Sequence, residues 1–305
     1  MNSTASKANI PSLSADRAPS VVETASLIAA RFVAYTALLL TAGVPLYAVT
    51  AGPFVPMTRP RRIALALLAL LAAAASIWWA LETVAAMAGL TLATLDRETF
   101  TVVLAATPLG TVMEWRLTAL AAVFLAMIVP LRALRSAVAG IAGVIALATM
   151  AWTGHAGASE SDAGRLADVI HLVAAATWLG ALAWFTAACF GDNEQARTQS
   201  LAAFARTGSV IVALLLLTGL INTIMIAGWP LAVGSAWFWW LVLKIALFAA
   251  MLGLAAINRW KITPALGRGE PSAPVHLKRS LVLELALGLG VVAIVAMLGV
   301  LDPAA

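Results

Sequence analysis

Eight apolar runs, separated by short polar loops, take up most of this chain of 305 residues. A hydrocarbon core roughly 30 Å thick needs about 20 apolar residues per helical crossing. On that ruler the runs lie at about Val21–Val49, Ile63–Leu90, Met113–Val129, Ser136–Trp152, Ala167–Phe190, Leu201–Ala227, Trp237–Ile257 and Leu281–Leu301. In lipid every backbone polar group must be satisfied internally, and uninterrupted Leu/Ala/Val runs fit helices rather than the alternating strands of a membrane barrel. The expected fold is therefore all-α: a polytopic membrane helix bundle of about eight transmembrane helices. With 62% hydrophobic and 11% charged residues, the chain has too much apolar surface for a single water-soluble core. Residues 1–20 are polar and rich in Ser, Ala and Pro, and read as a disordered tail rather than a secretory signal. Residues 21–305 read as one membrane domain, and the connector Thr91–Pro108 as the place for a short interfacial helix.

Charge sets the expected orientation. Loops after the odd-numbered runs carry Arg59, Arg61, Arg62, Arg132, Arg135, Arg197, Arg259, Lys261, Arg268, Lys278 and Arg279, whereas the opposite loops hold Arg97 and Arg165. By the positive-inside rule the first set faces the cytoplasm, which places both termini and the loop between the fourth and fifth runs outside, in the periplasm of a Gram-negative cell. The net charge of +5 is thus a topological signal. With no basic patch interleaved with aromatics, nucleic-acid binding is not expected. Membrane lipid is the expected surroundings.

Ionisable residues in or near the outward half of the runs are Arg31, Glu82, Glu114, Arg116, Asp168, His171 and Lys244. Each is costly in lipid and hence a functional candidate, although several lie close enough to helix ends to reach headgroup water. Arg31 and Lys244 sit deeper and are expected to pair with Glu82 or Glu114. Asp168 precedes His171 by three residues, on the same helical face, where its carboxylate is positioned to accept one imidazole N–H and aim the other nitrogen. Trp178 continues that face inward. His155, in Gly154-His155-Ala156 at the end of the fourth run, is the second outward histidine. Met87, Met113, Met150, Met225 and Met297 fall near outward ends. Thioether sulfur with imidazole suits Cu(I) better than hard cations, against the ordinary role of Met as apolar filler. His171, His155, Met150 and Met113 form the candidate metal set. Cys189 is the only cysteine, so no CxxC-type site exists. No HExxH, P-loop, dinucleotide turn or nucleophile–base arrangement occurs, and an enzyme is not expected.

The segments GHA at 154–156, ADVIHLVAAATWLGAL at 167–182, LLTGLIN at 216–222, LVLK at 241–244, INRW at 257–260 with Pro264, and LKRSLVLELALG at 277–288 resemble the CopD-type copper resistance and copper homeostasis membrane proteins, over about residues 28–301. The resemblance implies an eight-helix bacterial inner-membrane protein that handles copper, often with a separate periplasmic carrier of the CopC type. Carried over by position, His171, Trp178, Asn222, Lys244, Asn258, Arg259 and Glu284 match the family pattern. Transport or homeostasis of copper accepted from the periplasm is the leading expectation. The alternative is a haem b redox protein with His155 and His171 as axial ligands.

Overall fold

A computed structural model describes residues 21–51, 57–129, 134–153, 161–190 and 194–303. Residues 1–20, Arg132 and the Gly154-His155-Ala156 turn lie outside the described residues. Among the described residues ten α-helices follow in order: α1 (Val21–Ala51), α2 (Arg59–Met87), α3 (Arg97–Ala106), α4 (Pro108–Ile128), α5 (Arg135–Ala148), α6 (Asp162–Ala188), α7 (Glu194–Ala227), α8 (Ala236–Ile257), α9 (Thr263–Gly267) and α10 (Ala273–Leu298). Eight of the helical stretches are long and apolar enough to cross a membrane, as the eight runs require. The short α3 falls in the connector expected to hold an interfacial helix.

Helix starts follow local chemistry that an apolar ruler does not register. Ser161 caps α6 by accepting from the Gly164 N–H, with Asp162 in the first turn, so α6 begins five residues before the expected Ala167. Ser235 caps α8 through the Phe238 N–H at 3.1 Å. Asp96 caps α3 through Thr99, whose backbone N–H and hydroxyl both donate to it at 2.8 Å. These bonds favour the ionised carboxylate and hold it below the ordinary Asp range. Pro108 opens α4, where its missing N–H costs nothing.

Helix α1 runs through the middle of the bundle against α2, α5, α6 and α10. Its crossing with α6 is a backbone-to-backbone approach. A Cβ on Gly43 would collide with the Ala176 carbonyl, and one on Gly180 with the backbone of Gly43. Small residues at such a crossing replace the hydrophobic drive that lipid cannot supply. The C-terminal half is built as α7 on α6 and α8 on α10, with α6 and α10 in contact. Two features interrupt regular helix: a 3₁₀ turn, Thr149–Trp152, after α5, and a π-helical segment, Asn258–Ile262, after α8. Both border cavities described below.

Cations gather at one end. Arg61 lies 3.6 Å from the Trp184 ring centroid and Lys278 3.9 Å from that of Phe190. Arg62 donates to the Met127 carbonyl through Nε at 2.9 Å, and Arg135 Nε to the Ala126 carbonyl at 3.1 Å, closing the exposed C-terminus of α4. At the other end Trp115, Trp152, Trp229 and Trp239 are exposed, as residues of an interfacial aromatic belt are. That end also holds the start of α1 and the end of α10, since Arg31 donates to the Gly299 carbonyl at 2.8 Å.

Candidate functional site: two cavities in the C-terminal half

Where α6, α7, α8 and α10 meet, two cavities lie one above the other. The first, about 220 Å³, includes Asp168 and His171 of α6, Asn222 of α7, Lys244 of α8, Arg31 of α1 and Met150 of the 3₁₀ turn in its lining. The second, about 360 Å³, is lined by Trp178, Asn258, Arg259 and Glu284 among others. His171 and Trp178 are seven residues apart on α6, a rise of roughly 10 Å. Between the two levels Leu215, Phe248 and Met251 are packed in one apolar cluster with Trp178.

His171 is held by α7. Its Nδ1 lies 2.9 Å from Thr218 Oγ1, and the Thr218 hydroxyl donates its single proton to the Leu214 carbonyl at 2.5 Å. With the Thr218 proton on the Leu214 carbonyl, Oγ1 is the acceptor and Nδ1 the donor, an assignment from the hydrogen-bond network that puts the ring proton on Nδ1 and the lone pair on Nε2. Gly219 also faces the ring: a Cβ there would lie 3.5 Å from Cε1, an ordinary van der Waals contact. A neutral imidazole with Nε2 bare and Nδ1 anchored is the arrangement a metal-binding histidine needs.

Asp168 does not perform that anchoring, contrary to the sequence expectation. It accepts from Asn222 Nδ2 at 3.2 Å and attracts Lys244 across the cavity. Sharing a face at i,i+3 put the two residues side by side, but the partner that reached the ring came from the neighbouring helix. Thr218 was the residue missed. The available signal was its position four residues before Asn222, on the same face of α7.

The expected ion pairs of Arg31 and Lys244 with Glu82 or Glu114 are not formed. Arg31 donates to Gly299 O and, at 2.9 Å, to Tyr35 Oη, with its guanidinium 5.7 Å from the Trp79 ring centroid. Aromatic faces and a helix C-terminal carbonyl thus take the place of a carboxylate around this guanidinium. Glu82 instead accepts from Trp78 Nε1 at 3.0 Å and from Ser26 Oγ. Glu114 is exposed on α4. Arg116 is fully buried, donates from Nε to Thr149 Oγ1 at 2.8 Å and has its guanidinium carbon 4.9 Å from the Trp79 ring centroid.

Of the candidate metal set, His171 and Met150 line the same cavity. Met113 is buried elsewhere on α4, Met87 and Met225 are exposed, and His155 lies outside the described residues. No group of three or more His, Cys, Asp or Glu with metal-binding spacing occurs among the described residues. Trp178 and Glu284, expected as support for the histidine, belong to the second cavity.

Comparison with known proteins gives the family. The copper resistance protein D-like N-terminal domain model matches residues 22–166, and the copper resistance protein D model matches residues 198–298. The chain is 34% identical over 306 residues to copper resistance protein D of Pseudomonas syringae pv. tomato, covering 90% of this chain and 96% of that protein. It is 29% identical over 160 residues to the inner membrane protein YebZ of Escherichia coli K12, covering 50% of this chain and 55% of that one. No solved structure matches. With its eight apolar helices, this is a multi-pass inner-membrane protein. Matched over nearly its whole length by one relative and over both halves by family models, the chain belongs to the copper resistance protein D family.

Proposed function

We propose that the protein moves or holds copper at the inner membrane, taking Cu(I) into the cavity that His171 and Met150 share. The observation that carries this reading is the His171–Thr218–Leu214 relay, which anchors Nδ1 and assigns the lone pair to Nε2, in a cavity that also contains a thioether. Imidazole nitrogen and thioether sulfur together favour Cu(I) over hard cations. Lys244 and Arg31 in the same lining repel a dication more strongly than a singly charged ion, and Asp168 offsets part of that charge.

The His171 end faces the periplasm in this reading, because Arg61, Arg62, Arg135, Arg259 and Lys278 gather at the opposite end. Both chain termini then lie outside, residues 21–305 act as one membrane unit, and His155 sits close enough in sequence to the cavity's Thr153 to contribute a second nitrogen from the loop. Copper would arrive from a soluble periplasmic carrier of the CopC type, as the resemblance to the family implies. Binding and passage, rather than catalysis, fit the lining, which contains no nucleophile–base pair. The haem b alternative draws no support from the family, whose descriptions name copper.

The test is copper bound per molecule of detergent-purified protein, with a visible spectrum taken on the same sample. Wild type is expected to retain Cu(I) and show no Soret band, and His171→Ala to lose copper. Equal copper in the two proteins, or a haem spectrum, overturns the reading.

A further inference from the structure

The second cavity, on which the copper reading does not draw, contains a deeply buried acid. Glu284 is 2% exposed, near the middle of the sequence of α10. Its carboxylate accepts two hydrogen bonds, from Trp178 Nε1 at 3.2 Å and from Asn258 Nδ2 at 3.1 Å. Two hydrogen bonds do not offset the cost of a buried carboxylate, which requires a compensating charge or a proton. Among the described lining residues the other ionisable group is Arg259, and its Nη1 donates to Ser209 at 2.8 Å on the exposed side. Lys244, the nearest lysine along α8, lines the other cavity.

A second observation points the same way. Asn258 is 7% exposed, and its Oδ1 is buried without a hydrogen-bond partner, next to the acid it serves through Nδ2. Its backbone carbonyl is occupied separately by the Thr263 hydroxyl at 2.8 Å. The residue opens the π-helical segment Asn258–Ile262, and such segments are frequent at functional sites. A carboxylate with spare lone pairs and an unpartnered amide oxygen, lining one cavity, make a set of hard acceptors lacking a positive partner. The set has no sulfur or imidazole, so it does not suit copper.

We propose that Glu284 and Asn258 form a second ion site, for a hard monovalent cation, either a proton or an alkali metal ion, reached from the end of the bundle opposite His171. As a proton site, the acid O–H on Glu284 Oε2 would donate a hydrogen bond to Asn258 Oδ1 after the amide turns over, exchanging donor for acceptor. As an alkali-ion site, the carboxylate and Oδ1 would be two of the ligands and cavity water the rest. In either state the buried charge is cancelled. The apolar layer at Leu215, Phe248 and Met251 keeps this ion apart from the copper cavity.

Infrared difference spectra of the purified full-length protein, recorded on stepping the pH in choline chloride, sodium chloride and potassium chloride, test this directly. Glu284→Gln is the subtraction control, since it is isosteric and neutral like the protonated acid. A protonated-carboxyl band that titrates in wild type and is missing from Glu284→Gln identifies the proton. Carboxylate bands that shift on adding sodium or potassium at fixed pH, again missing from Glu284→Gln, identify the alkali ion. Asn258→Leu, which deletes Oδ1, is expected to weaken the response by roughly tenfold, the equivalent of one lost buried partner. A Glu284 carboxylate that remains ionised across the titration and responds to neither cation overturns the proposal. Copper binding measured on the same Glu284→Gln sample is expected to equal wild type, so this site and the copper site fail independently.

Discussion

Thr218→Val is the most informative single change at the His171 cavity, because it keeps the shape of the side chain and deletes one oxygen. In the native arrangement Thr218 Oγ1 accepts from His171 Nδ1 at 2.9 Å while passing its own proton to Leu214 O. Valine leaves that N–H without a partner, a loss of about 1–3 kcal/mol for a buried donor. The ring can recover part of it by moving the proton to Nε2 or by rotating, and either response removes the lone pair that would meet the metal. Every 1.4 kcal/mol is tenfold, and loss of an outer partner of a ligating histidine typically costs about 10- to 100-fold in metal affinity. Competition of purified protein with a chromophoric Cu(I) chelator under reducing conditions reads this range. Thr218→Val is expected to fall about 10- to 100-fold below wild type, and Thr218→Ser to stay close to it. A Thr218→Val protein that binds Cu(I) as wild type does, when His171→Ala does not, would refute the proton assignment.

Other consequences follow from the same geometry. Gly180→Val forces a side chain into the backbone of Gly43, so its thermal midpoint in detergent should drop by an amount equivalent to at least about 1–3 kcal/mol, the usual range for overpacking; unchanged melting would mean that α1 and α6 do not cross there. Thr149→Val strips the partner of Arg116 Nε inside the bundle and should destabilise by about 1–3 kcal/mol, with Cu(I) affinity preserved in the fraction that folds. For α3, the Asp96 carboxylate is held below its ordinary range by Thr99, so the cap contributes fully above the unfolded carboxylate range and is lost as pH falls through the lowered folded value. The protection factors of the Thr99 and Phe100 amides, corrected for the intrinsic exchange rate at each pH, should therefore fall in acid in wild type and be low already at neutral pH in Asp96→Ala.

The crossings of this chain were legible because the bilayer imposes one length on every helix, and a run of apolar residues reports that length directly. Helix starts were less legible. The first turns of α6 and α10 are polar, so Ser161–Leu166 and Ala273–Ser280 read as loop although they are helical or capping. At the site, sequence singled out His171, Asp168, Asn222, Lys244 and Arg31, and all five line one cavity. It did not give their pairing. Face sharing along a single helix says which side chains are neighbours, but the partner of His171 arrives from α7, and that contact depends on how α6 and α7 pack. The partner of Arg31 was missed for a related reason, since Tyr35 and Trp79 carry no formal charge. Trp178 and Glu284 were grouped with the histidine because all three share a family pattern, whereas a two-turn displacement along α6 puts them in a different cavity.

X-ray absorption at the copper edge of the Cu(I)-loaded protein addresses the ligand set itself. A site built on His171 and Met150 predicts a mixed shell of imidazole nitrogen and thioether sulfur, losing the sulfur in Met150→Leu and the imidazole signature in His171→Ala. A shell of nitrogen and oxygen alone, unchanged by either substitution, would contradict it.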